Sequence, residues 1–295
     1  MTFSSIPPLS ASTILLVGPG WLGAAAVRHL RAEGAVVFTM SRSAPGPTSD
    51  TTDQAFHIRG DIATAATDPT VRAVLPPTID HMVICVAPSR PAGDSYAMYP
   101  HAAAGAAALA QAVGIQSVLY TSSTGVYAVD DGREVTEATP IVPTTARVAA
   151  LAEAEQQLLA LNGRAVQILR VAGLYGPDRD PAARFAVTDP RADHWCNMAW
   201  RDDVVRAVAH LLGRASAGDH HVFNCADGVP LLASTITHAL GGLVHETGPA
   251  PAVTGRSNQR VSVAALRATG WAPQIPTVVA GLRRLGHLVI DPVLS

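Results

Sequence analysis

The chain has 295 residues, of which 48% are hydrophobic and 15% charged, and a formal net charge of −2. This balance describes a globular protein with a large core and excludes a disordered chain. No basic or acidic block is present, so neither nucleic acid nor an anionic membrane surface is an expected partner. Residues 1–12, MTFSSIPPLSAS, read as a flexible leader. Residues 13–17, TILLV, have the length and β-branched content of a buried parallel strand. Gly18, Gly20 and Gly23 follow as G-x-G-x-x-G, and an Ala-rich helical run closes at Gly34. In that spacing Gly18 permits a sharp turn, Gly20 a close approach of backbone to a pyrophosphate, and Gly23 close packing of helix on strand. Trp21 and Leu22 open the helix, whose first N–H groups and partial positive charge suit phosphate. The setting between a strand and a helix makes this a dinucleotide site.

A second strand over residues 35–40 runs into Ser41-Arg42-Ser43. An NAD site usually places an acid here to hold the ribose hydroxyls. Ser41 stands in that place and Arg42 follows it, a pair that fits a 2′-phosphate better than a free diol. NADP(H) is therefore the expected cofactor, with NAD as the alternative. Residues 43–53 are a Pro/Ser/Thr/Gly-rich loop. A third short strand over 56–58 leads to Gly60-Asp61, where Asp61 either reaches the adenine edge or caps a helix. The fourth strand, 80–86, delivers Ala87, Pro88 and Ser89 to the carboxyl edge of the sheet, with Cys85 as a small buried hydrophobe. An Ala-rich helix over 99–114 ends at Gly114. The fifth strand, 117–120, runs into Thr121-Ser122-Ser123-Thr124-Gly125-Val126-Tyr127. Alternating strands and helices predict an α/β protein with a doubly wound parallel sheet, the Rossmann arrangement.

The motifs GPGWLG, Gly60-Asp61, LYTSSTGVY, ILRVAGLYGP, NMAWRDDVV, VFNCADGVP and RVSVAALRATGWAPQIP occur in that order along the chain. In these pieces the sequence resembles the extended short-chain dehydrogenase/reductases, the NAD-dependent epimerase/dehydratase group. The resemblance implies a dinucleotide-binding domain over residues 13–170 and a smaller, partly intertwined substrate lobe over 171–295. It also implies a catalytic trio of Ser/Thr, Tyr and Lys, the last two spaced Y-x-x-x-K. The serine carries over to Ser123, which would hydrogen-bond a substrate carbonyl or hydroxyl. The other two do not carry over. All 21 residues counted as Lys+Arg are arginine, which also excludes a Schiff-base lysine or a Walker-type phosphate loop. Aligning Glu155-Gln156 with the family's A-E-Q puts Arg147 at the tyrosine and Leu151 at the lysine; a two-residue shift gives Thr145 and Ala149. Arg147 cannot transfer a proton at neutral pH, although it can stabilise an oxyanion or hold a carboxylate. The chain thus reads as an atypical member without the usual proton-transfer pair.

Tyr127, four residues past Ser123, is a candidate for the missing proton transfer, with a structural role as its alternative; Tyr175 has the same status. Asp193, His194 and Cys196 come from one short segment, too little for a metal site, and no metal is expected. Cys196 as a nucleophile would need a lowered pKa. Asp203 reads as a structural anchor of the lobe. Arg179, Arg184 and Arg201 could meet an anionic substrate, and Trp195 and Trp200 could stack on a ring. The resemblance further implies a homodimer, built from the small-residue helices over 99–114 and 144–162. Three scattered cysteines and the lack of a secretory h-region point to a reducing cytoplasm. Three functions follow: an NADP(H)-dependent oxidoreductase or epimerase-like enzyme acting on a small polar or anionic substrate, a catalytically silent NADP(H) sensor, or a non-redox isomerase or cyclase on the same fold.

Overall fold

A computed structural model describes residues 9–43, 56–88, 96–246 and 257–290. The expected leader therefore lies outside the described residues up to position 8. Leu9–Ala11 form a 3-10 turn, and Ser12 is buried. The loop over 43–53 is described only at Ser43, and Ser89 also lies outside.

Apolar, branched residues set the sheet. β1 (Thr13–Val17) buries Ile14, Leu15 and Leu16 completely, as a strand covered on both faces must. β2 (Val36–Ser41), β3 (His57–Arg59), β4 (His81–Ile84), β5 (Ser117–Ser123), β6 (Ala165–Val171) and β7 (His220–Cys225) complete a seven-stranded sheet in the order β7-β6-β5-β4-β1-β2-β3. β1 pairs in parallel with β2 and β4, β2 with β3, and β4 with β5. The direction of strand order reverses at β1, the usual place for a ligand in an open α/β sheet. The fold is α/β with a parallel sheet flanked by helices, as the sequence predicts.

The helices begin where the caps say they should. α1 (Trp21–Ala32) starts at Gly20, and α2 (Pro69–Val74) is capped by Asp68, which accepts from the N–H groups of Thr70 and Val71. α3 (Met98–Val113) stops at Gly114, which takes the left-handed φ of 77° that ends a helix cleanly. α4 (Ala146–Leu159) is capped by Thr145, whose Oγ1 accepts from Val148 N–H at 3.2 Å. α3 and α4 pack along one another. α5 (Arg201–Leu212) carries Asp202 and Asp203 in its first turn.

The chain divides into two compact units of three stretches each: residues 1–122, 143–169 and 205–222, and residues 123–142, 170–204 and 223–295. The second unit holds short ladders, including Gly173–Tyr175 beside Met198–Trp200 and Glu134–Val135 beside Arg260–Val261. Its core gathers Tyr175, Phe185, Met198, Trp200, Ile236 and Leu282. Trp200 meets Tyr175 edge to face at 5.3 Å, so this tryptophan is spent on packing.

Candidate cofactor and active site

In the first unit the glycine loop is formed as the motif requires. Gly18 has φ +85°, and a Cβ there would lie 2.7 Å from the carbonyl oxygen of Cys85. A Cβ at Gly23 would lie 2.3 Å from Gly18 O, so only glycine lets the helix sit this close to the turn. At Gly20 a Cβ would meet nothing within 4 Å. The open side of Gly20, at the start of α1, is a cradle with room for a phosphate, and no side chain caps this helix end. Trp21 and Leu22 form the first turn. Ala87 and Pro88 follow β4 two residues past Cys85, whose N–H donates to Val17 O at 2.8 Å, so they stand at the same sheet edge.

At the end of β2, Ser41 is half-buried while Arg42 is exposed. Ser41 Oγ donates to Ser43 O at 2.7 Å. His57, which no motif singles out, reaches the same loop: Nε2 lies 3.1 Å from Ser43 O, and Nδ1 lies 2.9 Å from Thr39 Oγ1. Asp61 is exposed, and its Oδ1 accepts from Ala63 N–H at 3.0 Å, so the carboxylate closes a turn.

Arg147 lies in the first turn of α4, is exposed, and hydrogen-bonds the hydroxyl of Tyr99 on α3. One turn on, Leu151 is 1% exposed. In the register that sets Glu155-Gln156 on the family's A-E-Q, the lysine position falls on this core leucine. In the alternative register, Thr145 uses its hydroxyl as the helix cap.

Ser123 and Tyr127 belong to the second unit. Ser123 Oγ accepts from Gly125 N–H at 3.1 Å, capping the turn Thr124–Val126. Tyr127 is 2% exposed. Its hydroxyl donates to Asn224 Oδ1 at 2.7 Å and accepts from Arg170 Nη1 at 2.9 Å. The Arg170 guanidinium also stands 4.9 Å from the centre of the Tyr127 ring. Asn224 is held in turn, its N–H on Glu137 Oε1 and its Nδ2 on Ser262 O. Burial raises the pKa of Tyr127, and Arg170 pulls the other way. A buried hydroxyl with both a donor and an acceptor in place is built to brace, and it is poorly placed to pass a proton. The brace partners Arg170, Asn224 and Glu137 lie 43, 97 and 10 residues away in sequence, too scattered to be read from spacing.

Elsewhere in the second unit, Asp203 accepts from Gln274 and Ile275 N–H at 3.0 and 2.9 Å, the anchoring role expected of it. Arg260 stacks 5.5 Å from the Trp195 ring. Cys196 Sγ lies 3.6 Å from His194 Nε2, while Asp193 is taken up by Ser234. Among the described residues, no group of three or more His, Cys, Asp or Glu could hold a metal ion.

Residues 14–188 match the model of the NAD dependent epimerase/dehydratase family, more than half of the chain. The protein belongs to the NAD-dependent epimerase/dehydratase family. Protein YeeZ of Escherichia coli strain K12 is 32% identical over 221 residues, covering 74% of this chain and 78% of YeeZ. Among solved structures, a Methylobacillus flagellatus protein assigned to the NAD-dependent epimerase/dehydratases is 29% identical, with a TM-score of 0.71 over 93% of this chain and 97% of that one. The Thermus thermophilus UDP-glucose 4-epimerase, solved in complex with NAD, has a TM-score of 0.72 at 20% identity, covering 92% and 96% of the two chains. This last likeness is one of fold. As an epimerase/dehydratase family member the chain has the Rossmann architecture that binds dinucleotides, and its own glycine loop fits one.

Proposed function

We propose that the protein is an NADP(H)-dependent oxidoreductase or epimerase-like enzyme, acting on a small polar or anionic substrate without the family's Tyr-Lys pair. The observation that carries this reading is the glycine loop, where Gly18 and Gly23 leave no space for a side chain and Gly20 faces open space. Ser41, with Arg42 beside it, supports NADP(H) over NAD, since neither residue is an acid that would repel a 2′-phosphate. Asp61, Ala87 and Pro88 line the adenine and strand-end side of the same proposed site. When bound, the nicotinamide supplies or accepts a hydride.

Ser123 is the retained member of the family's trio, and its hydroxyl polarises the reacting oxygen. Arg147 contributes a fixed positive charge that can hold an oxyanion or a carboxylate. Tyr127 braces its surroundings rather than passing a proton, because its hydroxyl is spent on Arg170 and Asn224. The proton then comes from water or a histidine. Two copies of the chain associate through α3 and α4, whose small residues allow close approach.

The buried Leu151 favours a second reading, a protein that binds the cofactor and senses it without turnover. Titration with NADPH and NADH, followed by nicotinamide fluorescence, tests both; binding of neither removes the whole proposal. NADPH consumption across a panel of carbonyl substrates then separates enzyme from sensor. Arg147→Tyr alone leaves family-type activity absent, because position 151 still lacks an ammonium group.

A further inference from the structure

Two donors converge on one carbonyl at the end of β2. Ser41 Oγ donates to Ser43 O at 2.7 Å, and His57 Nε2 lies 3.1 Å from the same oxygen. A carbonyl only accepts, so Nε2 carries the proton. In the neutral ring Nδ1 then accepts from Thr39 Oγ1 at 2.9 Å. Thr39 is buried and stands in register with His57 across the β2–β3 ladder. The imidazole is thus pinned at one edge by the sheet and reaches the loop with the other, passing 3.5 Å from Ser41 Oγ. In the same ladder Ser41 is in register with the exposed Arg59.

The hydrogen-bond accounting gives the arrangement a use. Ser41 has one hydroxyl proton. While Ser43 O takes it, the serine oxygen offers only lone pairs, which welcome a ribose hydroxyl and repel a phosphate oxygen. If the proton turned away with no other donor present, Ser43 O would lose its partner, at a cost comparable to the bond gained. The second donor, His57, removes that conflict.

We propose that His57 is a positioning residue for cofactor selectivity: by holding the Ser43 carbonyl it frees the Ser41 hydroxyl to donate to the 2′-phosphate of NADP(H) beside Arg42. The inference rests on the NADP(H) reading above and names the residue that makes Ser41 able to serve it. Arg59, across the ladder, adds positive charge at the same end of the strands.

The test is direct binding of NADPH and of NADH, each titrated by nicotinamide fluorescence into wild type, His57→Leu, His57→Gln and Ser41→Ala, with thermal unfolding recorded for every protein. Wild type is expected to bind NADPH more tightly. His57→Leu should weaken NADPH about five- to tenfold, the scale of one hydrogen bond, and leave NADH within about twofold. His57→Gln keeps an N–H donor and should hold the wild-type ratio. Ser41→Ala should lose the same selectivity with His57 in place, and the Ser41→Ala/His57→Leu pair should lose no more. An equal loss of both cofactors in His57→Leu, an unchanged ratio there, or strict additivity in the double variant overturns the role of His57. Equal affinity of the wild type for both cofactors overturns the NADP(H) reading itself, a different result from the other three.

Discussion

Gly20 and Gly23 differ in what a methyl group would meet, and that difference separates folding from binding. At Gly23 the added carbon would lie 2.3 Å from Gly18 O, so Gly23→Ala forces helix and turn apart and costs about 1–3 kcal/mol. Gly20 has φ −76° and nothing within 4 Å of a Cβ. Gly20→Ala should therefore leave the melting temperature within about 2 °C of wild type, yet abolish NADPH binding, because the methyl fills the approach path of the pyrophosphate. Calorimetry with parallel titrations checks this; full binding by Gly20→Ala would mean the phosphates lie elsewhere. Asp227 gives a second prediction at this scale. Its Oδ1 accepts from Val229 N–H at 3.1 Å, the Val278 backbone also favours the carboxylate, and Oδ2 is deeply buried. Burial, with a smaller contribution from Asp203, pushes its pKa up to about 8. The unfolded chain releases this proton near pH 4 while the native protein keeps it, so the native state binds more protons and stability falls as pH rises between those values. His81 works in the opposite sense. Fully buried, with neither ring nitrogen hydrogen-bonded, it is held neutral with a pKa of about 4, so its slope of opposite sign fades as pH rises past 6.5. From pH 6.5 to 8, urea unfolding should thus show wild type losing about 2 kcal/mol more than Asp227→Asn does. Parallel profiles would refute the assignment. Legibility at this scale was uneven. The glycines announced themselves because backbone sterics leave no other residue, whereas the Tyr127–Arg170–Asn224 brace and His57 depend on contacts that only the folded chain creates.

At the scale of elements, the buried face of α4 sets the cost of introducing a Tyr-Lys pair there. The start of α4 was legible to within two residues: expected at 144, found at Ala146 after the Thr145 cap. α3, expected over 99–114, runs from Met98 to Val113, and Gly114 marks its stop. Three differences are larger: β5, expected over 117–120, extends to Ser123; α4, expected to run to 162, ends at Leu159; and α2 carries no expectation in the sequence. The polar last residues of β5 look like a loop in sequence, but Ser122 is buried and donates to Glu155 Oε1 at 2.6 Å, which lets the strand continue. On α4, Val148, Leu151, Ala152 and Glu155 are buried and Arg147 is exposed. Leu151→Lys would put an ammonium group into a site that is 1% exposed, at a cost of about 3 kcal/mol or more. The double variant Arg147→Tyr/Leu151→Lys should therefore melt several degrees below wild type and gain no family-type activity. A stable double variant with turnover would show that the position can still take the lysine.

At the scale of the whole molecule, the path of the chain matters more than its length. The first unit draws most of α5 and the start of its last strand from residues 205–222. A fragment of residues 1–170 would lack β7, leaving the edge of β6, buried at all seven positions, without its neighbour. Such a fragment should be insoluble or lack cooperative unfolding by circular dichroism, because a long apolar strand edge invites aggregation. A soluble, cooperatively folding fragment would show that the sheet closes without β7. Gln259 makes a related point within the second unit. Its Nε2 donates to the carbonyl of Thr124 at 2.9 Å across 135 positions in sequence. The same stretch also passes Asn258 N–H to Val129 O and Arg260 N–H to Arg133 O. The turn that Ser123 caps is thus tied down by residues made long after it. During synthesis at roughly 5–20 residues per second, the serine waits many seconds on the ribosome before the strand that fixes its surroundings emerges. The nascent protein can form its glycine loop early, but the segment around Ser123 is fastened late.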